Sequence, residues 1–108
     1  QTLGRAGQVD DAIAMFQRAL AQDPHAINSR MGLIVTLHLA RQYGAAVPHL
    51  EKLIKLFPTN LRILQLSIHA GTLGENLNLA RGALELLEQH YPRLAPNFKR
   101  FLEDIPRQ

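Results

Sequence analysis

The chain has no cysteine. That excludes a disulfide framework, a thiolate zinc site and a Cys nucleophile, and it leaves cytoplasm and periplasm equally open as compartments. No apolar run approaches the roughly 20 residues that a membrane-spanning helix needs, and no secretory signal is visible. There is no block of five like charges, and 12 Lys and Arg stand against 9 Asp and Glu for a net +3. A polybasic nucleic-acid arm is therefore absent. Arg93, Lys99, Arg100 and Arg107 do gather near the C-terminus, but the interleaved Phe98 and Phe101 fall at helical spacing and read as core. No nucleic-acid partner is expected.

Chemistry-bearing motifs are equally scarce. The histidines His25, His38, His49, His69 and His90 include no i, i+4 pair and no H-E-x-x-H. Neither G-x-S-x-G nor a phosphate-cradling glycine loop occurs, and Gly4-Arg5-Ala6-Gly7 reads as turn chemistry. Asp10 and Asp11 fit helix-end electrostatics better than catalysis. The expectation is a non-enzyme with no metal and no cofactor. What the chain does have is 108 residues, 46% of them hydrophobic. That suffices for one modest domain burying roughly 60–70% of its unfolded surface.

It also has an internal period. Pro24, Pro58 and Pro92 are evenly spaced, and Ala12, Ala46 and Ala80 repeat at the same step. Phe16, Leu50 and Leu84 form another such column, Ala19, Leu53 and Leu87 a further one, and Leu3, Leu37, Gly71 and Ile105 one more. Each column proline ends an apolar-periodic stretch, because proline cannot continue a helix and pushes the residue before it out of the α region. Upstream of Pro24 lie Val9, Ala12, Ile13, Phe16, Ala19 and Leu20 on one helical face. Downstream, helices are expected over Ile27 to Ala40 and Leu61 to Leu73. Breaks are expected at Arg5–Gln8, Arg41–Gly44 and Gly74–Asn76. Asp10 and Asp11 would sit at a helix start, and Thr59 and Asn60 would cap the helix after Pro58. Pro48 lies inside the helix expected from about Gly44 to Phe57, tolerable in the first turn and disruptive deeper.

The stretch from Gly7 to Pro24, with its turn glycine, Asp-Asp-Ala start, aromatic, Ala-Leu and closing Asp-Pro, resembles the second helix of the tetratricopeptide repeat. The resemblance implies an all-α fold of tandem helix-turn-helix repeats, each of about 34 residues, stacked as a right-handed α-solenoid. It divides the chain into a partial repeat (1–26), full repeats over 27–60 and 61–94, and a C-terminal capping helix within 95–108. Ile34 and Ile68 stand where the family usually has a small residue, and Gly71 stands where its column is usually large.

The resemblance further implies a non-catalytic scaffold that binds a partner protein or peptide segment in a concave groove. The wall candidates are Asn28, Met31, Val35, His38 and Leu39, then Arg62, Gln65, Leu66, His69 and Thr72, with Lys99, Arg100 and Glu103 extending them. This mix suits an extended or helical segment with an apolar anchor and an acidic group. The two-carboxylate clamp of some family members is not matched: its positions hold Met31, Val35, Leu66, Pro96 and Arg100, of which Arg100 alone agrees. The alternative is a structural or assembly segment of a larger protein, such as a bacterial envelope or export factor or a repeat-bearing transferase. Such a segment would act by stacking with further repeats or by self-association through the N-terminal end, where the face around Val9 and Phe16 is expected to be uncovered.

Overall fold

The computed structural model describes the backbone of residues 3–104 and the side chains of residues 7–100. Among the described residues there are α-helices and turns only. The helices are α1 (Leu3–Gln22), α2 (Ile27–Leu39), α3 (Tyr43–Leu56), α4 (Leu61–Leu73), α5 (Leu77–His90) and α6 (Ala95–Asp104). None of them is long and apolar enough to cross a membrane. The chain forms two compact units, the first ending at Gln42 and the second beginning at Tyr43. In the first, α1 packs on α2. In the second, α3 packs on α4, α4 on α5 and α5 on α6. Helices that pack on their chain neighbours make an all-α, stacked-helix arrangement in each unit.

Two kinds of turn join the helices, and each recurs with the same hydrogen bonds. The turns that end α1, α3 and α5 contain the column prolines. They open with Asp23 N–H donating to Ala19 O (2.9 Å), Phe57 N–H to Leu53 O (2.8 Å) and Tyr91 N–H to Leu87 O (2.6 Å). They close with Ala26 donating to Asp23 O, Asn60 to Phe57 O and Leu94 to Tyr91 O at 3.0–3.2 Å. Every bond lies one full period from its counterpart.

The turns that end α2 and α4 close differently. Gln42 N–H donates to Leu37 O (2.8 Å) and Asn76 N–H to Gly71 O (2.7 Å). This is the bond that wraps the last turn of a helix when the residue past its end is left-handed. Arg41 and Glu75 are those residues, at φ 58° and 61°. Neither is a glycine, so each L-side chain bears the steric cost of that conformation.

Capping follows local chemistry. Asn60 Oδ1 accepts from Ile63 N (3.1 Å) and Asn76 Oδ1 from Leu79 N (3.2 Å), so the α4 cap expected at Thr59 or Asn60 is Asn60. Ala26 precedes α2 without a side-chain cap; there Arg30 Nη2 donates to Pro24 O (2.8 Å) and ties the first turn of α2 to the loop before it.

Two expectations need correction, and the place of Pro48 is settled. The break expected at Arg5–Gln8 is absent, because α1 runs unbroken from Leu3 to Gln22. No glycine in the described structure has positive φ, so Gly7 is helical too, at a cost of about 1 kcal/mol relative to Ala. Its neighbours Arg5, Ala6 and Gln8 are good helix formers and offset that cost. Asp10 and Asp11 consequently lie well inside α1 rather than at its start. Pro48 is the sixth residue of α3, past the first turn. Its missing N–H and its ring both act on the carbonyl of Gly44, an exposed residue.

One core cluster of the second unit lies where α4 meets α5 and α6. Leu64, Ile68, Ala83, Leu87 and Ala95 are buried together, with Ile54, Leu61, Tyr91 and Phe98 packed around them. Gly71 sits where α4 crosses the start of α5; a Cβ there would stand 2.6 Å from Ala80 N and 2.7 Å from Asn76 O. In the first unit a close approach joins Gly32 and the Phe16 ring, 2.5 Å from where a Gly32 Cβ would be.

Candidate functional site

The candidate groove residues fall on α2 in the first unit and on α4 and α6 in the second. On α4, Arg62 and His69 are exposed while Gln65 and Leu66 are half-buried. The spacing i, i+3, i+4 and i+7 places them on one helical face. Leu73, 40% exposed, continues that face at i+11. Thr72 does not belong to it. Thr72 is buried, and its hydroxyl donates to Ile68 O at 2.7 Å, so it presents no group to a partner. In the period Thr72 is the counterpart of His38. The overlooked member, Leu73, follows Leu39 by the same step, and that column would have found it.

On α2, Asn28 and Leu39 are exposed, the latter at 73%, and Met31, Val35 and His38 are half-buried. His38 Nδ1 lies 2.9 Å from Ile34 O, which fixes the ring against its own helix. Thr36, like Thr72, bonds the carbonyl one turn back, at Gly32 (2.7 Å). On α6, Lys99 and Arg100 are exposed. The side chain of Glu103 and the whole of Ile105 and Arg107 lie outside the described residues.

The two helices share an electrostatic property. Neither α2 nor α4 contains a single Asp or Glu, whereas α1, α3, α5 and α6 all do. The formal charges on the two are Arg30 and Arg62, joined by the titratable His38 and His69. Each stripe is therefore a mixed apolar and polar surface without negative charge.

Nothing else in the described residues gathers chemistry. No group of three or more His, Asp or Glu side chains is placed to hold a metal. The Tyr91 hydroxyl is used structurally: it donates to Thr59 O (2.5 Å), linking the turn after α3 to the turn after α5. No family model, no curated protein and no solved structure matches the chain.

Proposed function

We propose that the chain is a stretch of tetratricopeptide-type repeats, and that it acts as a non-catalytic scaffold for a peptide or helix that carries an apolar anchor and acidic side chains. Support for the repeat type comes from the two kinds of turn, each recurring once per period with the same hydrogen bonds, and from the resemblance of residues 7–24 to the family's second helix. The observation that carries the binding role is the α4 stripe. Arg62, Gln65, Leu66, His69 and Leu73 share one face of a helix that has no carboxylate. An apolar side chain would lie on Leu66 and Leu73, and carboxylates would meet Arg62 and the imidazole of His69. On α2, Met31, Val35 and Leu39 offer the same kind of surface with Asn28 at its start.

The test is fluorescence anisotropy with two short peptides of one apolar anchor each, flanked by Glu in the first and by Gln in the second. The acidic peptide is expected to bind more tightly, and to lose affinity when salt is raised. His69→Glu and Leu66→Asp are expected to weaken it separately. Equal binding of both peptides, or binding untouched by either substitution, would remove the stripe as the site.

A further inference from the structure

Within the second unit, α4 leaves one narrow line of side chains accessible. It packs on α3 and on α5, and seven of its 13 residues are buried. Leu61, partly buried, packs against the core. The rest follow the order Arg62, Leu66, His69, Leu73, at steps of four, three and four residues, with Gln65 on the flank. Steps of four and three alternate along the seam by which one helix pairs with another. The chemistry alternates as well: polar, apolar, polar, apolar. No carboxylate of α4 interrupts it.

We infer that the partner is an amphipathic helix laid along α4, with acidic side chains opposite Arg62 and His69 and apolar ones opposite Leu66 and Leu73. This rests on the stripe being the binding surface, and it names which of the two segment types that surface takes. Register is the first argument. Arg62 to Leu73 spans about 16 Å at the helical rise, which a second helix matches layer for layer with its own steps of four, three and four. An extended segment puts every second side chain on one face at about 6.7 Å, so its fourth contact falls about 4 Å beyond Leu73. Backbone chemistry is the second argument. An extended segment brings N–H and C=O groups that need partners along its whole length, and Leu66 and Leu73 have no side-chain donor or acceptor to give. A helix satisfies those groups internally. Charge is the third: the Arg62 guanidinium takes a carboxylate in a charge-assisted pair, and α4 has no acidic group to repel it.

The experiment is a titration of the whole chain with three labelled peptides of equal length and composition. Two carry Glu and Leu alternately at steps of four, three and four, one beginning with Glu for a parallel partner and one with Leu for an antiparallel one. Each is held helical by a lactam bridge on its outer face. The third alternates Glu and Leu at every second residue, as an extended segment requires. One of the helical peptides is expected to bind at least about tenfold more tightly than the extended one, since its backbone is already ordered. Arg62→Glu is expected to weaken that peptide at least about fivefold, and a peptide with Lys for the Glu that meets residue 62 is expected to recover the loss. Arg62 is exposed on α4, and circular dichroism checks that the variant is folded. Equal or tighter binding of the extended peptide would overturn the helical partner while leaving the stripe as the site. Failure of the Lys peptide to recover Arg62→Glu binding would overturn the register. Binding of none of the three would remove the stripe and this inference together.

Discussion

Gly71 and Ala80 meet backbone to backbone where α4 crosses the start of α5: a Cβ on Gly71 would lie 2.6 Å from the Ala80 amide nitrogen and 2.9 Å from its Cβ. The neighbour is backbone, which cannot swing aside. Gly71→Ala is therefore expected to force α4 and α5 apart and to cost about 1–3 kcal/mol, the usual range for overpacking. Gly82 is the internal control. It is helical in α5 with nothing within 4 Å of an added Cβ, so Gly82→Ala is expected to stabilise by up to about 1 kcal/mol. Urea denaturation of the two variants should move the midpoint in opposite directions.

Residues 7, 41 and 75 form one column of the period, and the structure treats its members differently. Arg41 and Glu75 are left-handed, while the glycine of the column, Gly7, is helical within α1. Arg41→Gly and Glu75→Gly are expected to raise stability by about 0.5–1 kcal/mol each, through relief of a left-handed L-residue. Gly7→Ala is expected to stabilise as well, because the site is helical and open. If residues 5–8 formed the turn that the repeat pattern implies, Gly7→Ala would instead destabilise. Thermal melting of this one variant decides between a continuous α1 and a broken one.

That column also marks where the sequence stopped being sufficient. The prolines at 24, 58 and 92 locate three helix ends because proline's effect is local and obligatory. Apolar spacing located α2 and α4 because both are buried along much of their length. The N-terminal segment departs from the repeat pattern at Gly7, which is helical. A turn glycine and a helix glycine look the same in sequence, and packing decides between them. Asp10 and Asp11 were misplaced with it. For the candidate site, residue type gave the composition of the stripe, but a threonine that bonds its own backbone is indistinguishable in sequence from one that faces a partner. Burial separated Thr72 from Leu73.

The caps make a third expectation. Asn60 and Asn76 each satisfy an otherwise open N–H at the start of α4 and α5. Asn60→Ala and Asn76→Ala are each expected to cost about 1 kcal/mol. Replacement of either Asn by Asp should retain most of the stability, since the carboxylate accepts the same bond and favours the positive end of the helix. Thr59→Ala, one residue before the cap, is expected to stay within about 0.5 kcal/mol, because Thr59 is exposed and serves Tyr91 through its backbone oxygen. Hydrogen exchange at the Ile63 and Leu79 amides reads the cap losses individually.

The last expectation concerns Ser67. It is fully buried in α4, and its Oγ has no hydrogen-bond partner. The threonines at 36 and 72 show what such a hydroxyl usually does in this protein, which is to donate to the carbonyl one turn back. Ser67 carries a polar atom out of water without that return. Burying an unsatisfied hydroxyl costs about 1–3 kcal/mol, and Ser is also a poorer helix former than Ala. The lost volume on changing Ser67 to Ala is a single oxygen, so the cavity penalty is small beside those terms. Ser67→Ala is therefore expected to stabilise the second unit by about 1 kcal/mol or more, against the usual direction of core substitutions. Thr72→Val, where donor and bond are removed together, is expected to be near neutral. A lower urea midpoint for Ser67→Ala would show that the hydroxyl is satisfied in solution, by its own helix or by a buried water.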